Sequence, residues 1–341
     1  MEKKKSGISL IVLVITIIVI IILAVAVILS IANNNPIENA NKAKFQNDLK
    51  TIQEELTLKQ SSNYIDANTG KSTEKITLNT LTSGSKYQNK LIINEGKLCY
   101  VKSELTTDEA KWAKEVGVEE ISGTLLKNGE NGVTIDAGTG VLSTSWSGGN
   151  VPEEIGEDII IPDGVTSIAD SAFYSCSGLK SIIIPDSVTS IGSSVFSSTA
   201  IKTINIPSSV VSIGEGTFNS CYGLKSIVIP PSVGTIEKNI FYGCSSLESV
   251  TISEGVTSIG EYAFYGCQSL KDITIPSSVI EVGGNVFNDA GIKNIVIKGS
   301  PRFKESVIRI TDLADYSEKW WGLLDSSKEI IISGTGYIPG E

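Results

Sequence analysis

Residues 250–272 read VTISEGVTSIGEYAFYGCQSLKD, and the fold turns on that stretch. Val250 and Ile252 flank Thr251, so one side of a short strand is apolar and the other polar. Glu254-Gly255 supplies a turn, and Val256, Ile259, Ala263 and Phe264 add a second set of inward groups. Gly260 suits a point where a side chain would crowd the turn. Cys267 and Leu270 close the unit before Ile273 opens the next. Each large apolar side chain is worth roughly 1.5–3 kcal/mol when buried. A unit this short has nothing of its own to bury them against, so it needs copies above and below.

The copies are present. The triplet recurs as Ile159-Ile160-Ile161, Ile182-Ile183-Ile184, Ile204-Asn205-Ile206, Ile227-Val228-Ile229, Val250-Thr251-Ile252, Ile273-Thr274-Ile275 and Ile295-Val296-Ile297. Successive offsets are 23, 22, 23, 23, 23 and 22 residues. Five triplets are closed by proline, which removes a donor where a ladder should end. Phe173, Phe196, Phe218, Phe241, Phe264 and Phe287 keep step. A fixed short period predicts a solenoid over 157–298, each coil burying its apolar face against its neighbours.

The cadence resembles the leucine-rich repeat, seen as Leu179-x-x-Ile182-x-Ile184, Leu224-x-x-Ile227-x-Ile229 and Leu270-x-x-Ile273-x-Ile275. More narrowly it resembles the BspA-like (Treponema-type) subfamily. Ile161-Pro162, Val165, Ile168, Ala172-Phe173 and Cys176 match that order, as do Val256, Ile259-Gly260, Ala263-Phe264 and Cys267. The resemblance covers roughly two-fifths of the chain. Units opening at Ile182 and Ile273 are one residue short and have no cysteine. It implies a leucine-rich repeat solenoid of the α/β horseshoe class, here β-rich with little helix. It also implies adhesion to a ligand on a host, a matrix or a neighbouring cell.

Composition narrows the function. The chain has 341 residues, a net charge of −10 and no histidine, which argues against nucleic acid as partner. Without histidine there is no Ser/His or Cys/His pair, and no phosphate-binding glycine loop precedes a helix. The expectation is a protein without catalytic residues or cofactor. Cys176, Cys221, Cys244 and Cys267 each follow the repeat phenylalanine by three residues. Their spacing is the structural period, so they read as buried thiols in one column rather than as a metal site. Cys99 stands apart.

The N-terminus carries a second signal. Lys3, Lys4 and Lys5 precede an uncharged, mostly apolar run from Ile8 to Ala32. At 1.5 Å per residue it is long enough to cross a bilayer of about 30 Å. Lysines before it and acidic sequence after it orient the rest of the chain outside the cell membrane, as a single-pass protein. Lys5-Ser6-Gly7 followed by Ile8 looks like a type IV prepilin leader, which implies cleavage after Gly7, methylation of Ile8 and self or pilin subunits as partners. Val12 stands where most pilins carry glutamate.

Five segments follow: 1–33, leader and transmembrane helix; 34–122, an amphipathic helix plus a small α+β head; 123–156, linker and N-terminal cap; 157–298, the repeats; 299–341, a C-terminal cap. In the second, Phe45, Leu49, Ile52 and Leu56 mark one helix face up to about Lys59, with Ser61–Lys71 loop-like. Leu91–Val101 reads as a hairpin around Asn94-Glu95-Gly96, and Thr107 as the cap of a short helix. Val133–Ile135 and Val141–Ser143 pair across a glycine turn, and Trp146 is placed over the first coil. The last segment is expected to hold Val307–Ile310, a helix from Asp312 to Leu324, Trp320-Trp321 as a lid, and a strand Glu329–Ile332.

The outward strand positions are the candidate ligand face. One row runs Asp158, Ser181, Thr203, Ser226, Ser249, Asp272, Asn294; the next runs Ile160, Ile183, Asn205, Val228, Thr251, Thr274, Val296. The candidate binding residues are those from Ser181 and Ile183 onward. Hydroxyl and β-branched groups with few charges suit a protein or glycan ligand held by area rather than by one deep pocket.

Overall fold

Alternation along each coil's long strand decides which way it faces. Ser226–Ile229 and Ser249–Ile252 both read exposed, buried, exposed, buried. A computed structural model describes residues 35–68, 76–81, 84–146, 155–299, 301–303 and 329–333. In it the long strands Asp158–Ile160, Ser181–Ile183, Thr203–Ile204, Ser226–Ile229 and Ser249–Ile252 form one parallel ladder. The register is one coil per step, with Ile227 opposite Val250 and Val228 opposite Thr251. Asp272–Ile275 and Asn294–Lys298 continue the stack in a separate sheet, which Glu329–Ser333 closes as an antiparallel edge.

A second face carries two-residue strands such as Ser190–Ile191 and Ser258–Ile259, again paired in parallel. A Cβ on Gly260 would stand 2.6 Å from the Lys238 amide nitrogen of the coil before, so the close approach needs glycine.

Between the two faces lies the phenylalanine column. Rings from Phe173 to Phe287 stack with centroids 5.5–5.7 Å apart and interplanar angles of 6–19°. Trp146 heads the column at 5.7 Å from Phe173. The segment before the first triplet is itself a degenerate coil. Thr124–Leu125 pairs in parallel with Asp158–Ile160, and Val141–Thr144, paired antiparallel with Val133–Ile135, continues the short-strand ladder. Asp136 holds that hairpin's turn, its Oδ1 accepting from the Gly138 and Thr139 amides.

The head is built on helix α1 (Pro36–Asn68), whose buried Phe45, Leu49, Ile52 and Leu56 pack with Leu91, Ile93, Leu98 and Tyr100. Those last residues belong to strands β1 (Leu91–Asn94) and β2 (Lys97–Val101), an antiparallel pair turning at Glu95-Gly96, both left-handed. Helix α2 (Thr107–Glu115) follows, then β3 (Glu119–Ile121), which pairs in parallel with β2. Two expectations shift here. The cap of α2 is Thr106, one residue early, because its hydroxyl accepts from the Glu109 amide while Glu109 accepts from Thr106. Helix α1 runs on to Asn68: Thr57 and Ser61 return their hydroxyls to carbonyls one turn back, and Gln60 reaches Gly96 O at 2.7 Å.

Among the described residues no helix is long and apolar enough to cross a membrane. The apolar run 8–32, with Gly7 and Ile8, lies outside the described residues, as do Val307–Ile310, the helix 312–324 and Trp320-Trp321.

Phe241→Ala, in mid-column, is expected to lower unfolding free energy by about 3–5 kcal/mol, and Thr251→Ala, pointing outward, by no more than about 0.5 kcal/mol. Urea titration of both variants checks this. Equal losses would contradict the assigned inside and outside.

Candidate functional site

The head lies on the outward strand face at its N-terminal end. Ile160, an outward residue, is 0% exposed and packs with Ile92, Cys99, Val101 and Leu125, with Ile121 and Ile183 at the margin. Two aspartates clamp the contact. Asp186 accepts from the Glu95 and Gly96 amides at 3.2 and 2.6 Å, and its own amide donates to Ile93 O. Asp163, one coil earlier at the same place, accepts from the Leu78 amide at 2.5 Å. Burial pushes the Asp186 carboxyl above the usual carboxylate range, against the lowering pull of the two amides. Asn205 adds a bond to Glu95 at 2.9 Å.

Of the sequence-predicted face, Ile183 and Asn205 therefore touch the head, and Ser181 donates to Asp158. Thr203, Ser226, Val228, Ser249, Thr251, Asp272 and Thr274 are exposed; Asn294 and Val296 are half-buried. Val228, at the middle, is 54% exposed. Where the main ladder divides, between Ser249–Ile252 and Asp272–Ile275, there is an open hollow of about 310 Å³. Thr251, Asp272, Thr274, Asn294 and Val296 line it, and Asn294 donates to Asp272. Such a surface offers hydroxyl, amide and carboxylate groups over a β-branched floor.

The repeat thiols are buried and face backbone. Cys221, Cys244 and Cys267 donate to the carbonyls of Phe196, Phe218 and Phe241, each in the preceding coil, at 3.0–3.2 Å. Thr199 fills the missing place in the short coil, donating to Phe196 O. Burial pushes Cys176 and Cys221 up to about 11 and Cys267 to about 12, and Cys244 well above the ordinary thiol value. These are packing groups held as thiols.

Six copies of the BspA type leucine rich repeat region match the sequence, over residues 155–253 and 234–313. The coils are BspA-type leucine-rich repeats. Solved structures similar to the BspA-type region include a leucine-rich repeat protein from Bacteroides ovatus ATCC 8483, 28% identical over 43% of this chain and 44% of that one, TM-score 0.36. Another is a leucine rich cell surface protein from Faecalibacterium prausnitzii A2-165, 23% identical over 50% of this chain and 63% of that one, TM-score 0.23. The T. pallidum leucine-rich repeat protein is 18% identical over 42% of this chain and 90% of that one, TM-score 0.27. The chain thus spans less than two thirds of the first two. No curated protein matches it.

Sequence reasoning missed the docking residues of the BspA-type coils. A signal was there: aspartate follows the proline in two successive coils, Pro162-Asp163 and Pro185-Asp186, where later coils carry Ser208, Pro231 and Ser277. Glu254, at the same place, caps the next coil instead, accepting from the Ser277 and Ser278 amides.

In the native chain at pH 8 the four repeat cysteines are expected to resist iodoacetamide and to react only as denaturant opens the coils. Mass mapping of the labelled sites checks this; rapid labelling of Cys244 before unfolding would contradict the buried column.

Proposed function

We propose that this chain is a non-catalytic binding protein displayed at a bacterial cell surface. The apolar run 8–32 anchors it, and the strand face of the BspA-type coils engages a protein or glycan on a host, a matrix or a neighbouring cell. The observation that carries the reading is the uncovered stretch of that face. From Thr203 to Thr274 it stays exposed, while the head takes up Ile160 and reaches only to Ile183 and Asn205. Exposed valine and threonine beside a polar hollow suit contact by area. Cells displaying the full chain should adhere to matrix proteins or host cells. The triple variant Val228→Lys, Thr251→Lys, Thr274→Lys should cut adhesion by about tenfold at equal display. Undiminished adhesion by the triple variant would remove the strand face from the proposal.

A second reading, a minor pilin or pseudopilin with the coils as tip domain, is favoured by Lys5-Ser6-Gly7-Ile8 and by a long helix packed on a small sheet. Mass spectrometry of the native N-terminus separates the two. A methylated Ile8 is the outcome that supports filament assembly, and an intact Met1 rules it out.

A further inference from the structure

The fourth and fifth coils carry a tyrosine cluster on the turn segment that follows the short strand, and none of it belongs to the strand face. Tyr242 and Tyr265 each stand one residue after the column phenylalanine, and their rings stack at 4.7 Å and 7°. Tyr262 meets Tyr265 edge-on at 6.0 Å, with Lys238 Nζ 6.0 Å from the Tyr262 ring centre. Asn219 and Asn288 hold the tyrosine place in the coils on either side, so the stack ends after two rings. Tyr242 is 37% exposed, and Tyr262 and Tyr265 are half-buried.

Tyr262 is held against its own backbone preference. Its φ is 56°, in the left-handed region, where Ser171, Ser194, Gly216, Asn239 and Asn285 stand in the other coils. A bulky side chain is disfavoured there. The fold does not need it, because coils with serine, glycine or asparagine at that place stack the same phenylalanine column at the same spacing. What Tyr262 gains is a place in the surface cluster, against Tyr265 and Asn285, rather than a place in the core, so its strain is spent on a surface.

The surroundings specify the contact. Asn285 donates to the Tyr262 hydroxyl at 3.4 Å, and the Tyr265 hydroxyl donates to Asp289, a hydrogen bond that together with the carboxylate's charge pushes that phenol upward. Glu261 stands 3.5 Å from Lys238. The ring surface that the Tyr242–Tyr265 stack leaves exposed takes the C–H face of a sugar, and the flanking carboxylates, amide and ammonium match its hydroxyls. Two carboxylates on a chain of net charge −10 disfavour an anionic polymer. Two coils are also far too short for the roughly 800 Å² per partner of a stable protein interface. We propose that the Tyr242–Tyr262–Tyr265 cluster is a second binding surface, separate from the strand face, which stacks on a neutral polysaccharide chain.

Affinity electrophoresis of the detergent-solubilised full chain in gels cast with dextran, laminarin, mannan or galactan tests this. Retardation is expected in at least one gel and should persist at high salt, since no net charge is exchanged. Tyr242→Ala and Tyr265→Ala should each weaken it by about tenfold. Tyr262→Asn, which restores the residue of the next coil, should weaken it while Tm stays level or rises, excluding misfolding as the cause. Val228→Lys should leave it unchanged, which separates this surface from the strand face. No retardation in all four gels, retardation that survives the tyrosine variants, or tyrosine-dependent binding to proteins alone would overturn the proposal.

Discussion

Stacking of one coil on the next is the interaction on which the repeat region depends. A coil of 22 or 23 residues cannot enclose a core, so every inward group finds its partner one coil away. Ring centroids repeat 5.5–5.7 Å apart, and the polar groups keep the same period. Thiols of Cys221, Cys244 and Cys267 donate backward to the carbonyl of the previous phenylalanine. Ser232 and Ser278 bond back to Val210 O and Val256 O, so buried backbone is satisfied along the stack. The stack must end somewhere. Trp146 finishes the ring column on one side, and the antiparallel strand Glu329–Ser333 closes the separate sheet of the last two coils on the other.

The head turns a uniform solenoid into one with two ends. By burying Ile160 against Ile92, Cys99 and Val101, it removes the first coils from the outward face. The Asp163 and Asp186 carboxylates satisfy backbone amides of the head that would otherwise lose water without a partner. Glu254, at the same repeat position, spends its carboxylate inside the solenoid on Ser277 and Ser278, which holds it below the usual carboxylate range. One position in a repeat thus does two different jobs, depending on what the neighbouring surface offers.

The result is a molecule whose surfaces differ in chemistry by side. The uncovered strand face carries small hydroxyl and β-branched groups beside a shallow polar hollow. The turn side carries stacked phenols with carboxylates close by.

The sequence by itself determined the period, the inward and outward rows and the place of the phenylalanine and cysteine columns. Each follows from alternation and spacing, which are local properties that stacking only repeats. The hairpin around Glu95-Gly96 and the degenerate strands near Val133 and Val141 were legible for the same reason. Only the tertiary structure decided where the head sits, that Ile160 is interior despite its outward position, and that Tyr242, Tyr262 and Tyr265 form one cluster. These depend on surfaces brought together from distant parts of the chain, and on a backbone angle at Tyr262 that its coil imposes. Periodicity records what a residue does within its own repeat, and it carries no information about which other surface will come to cover it.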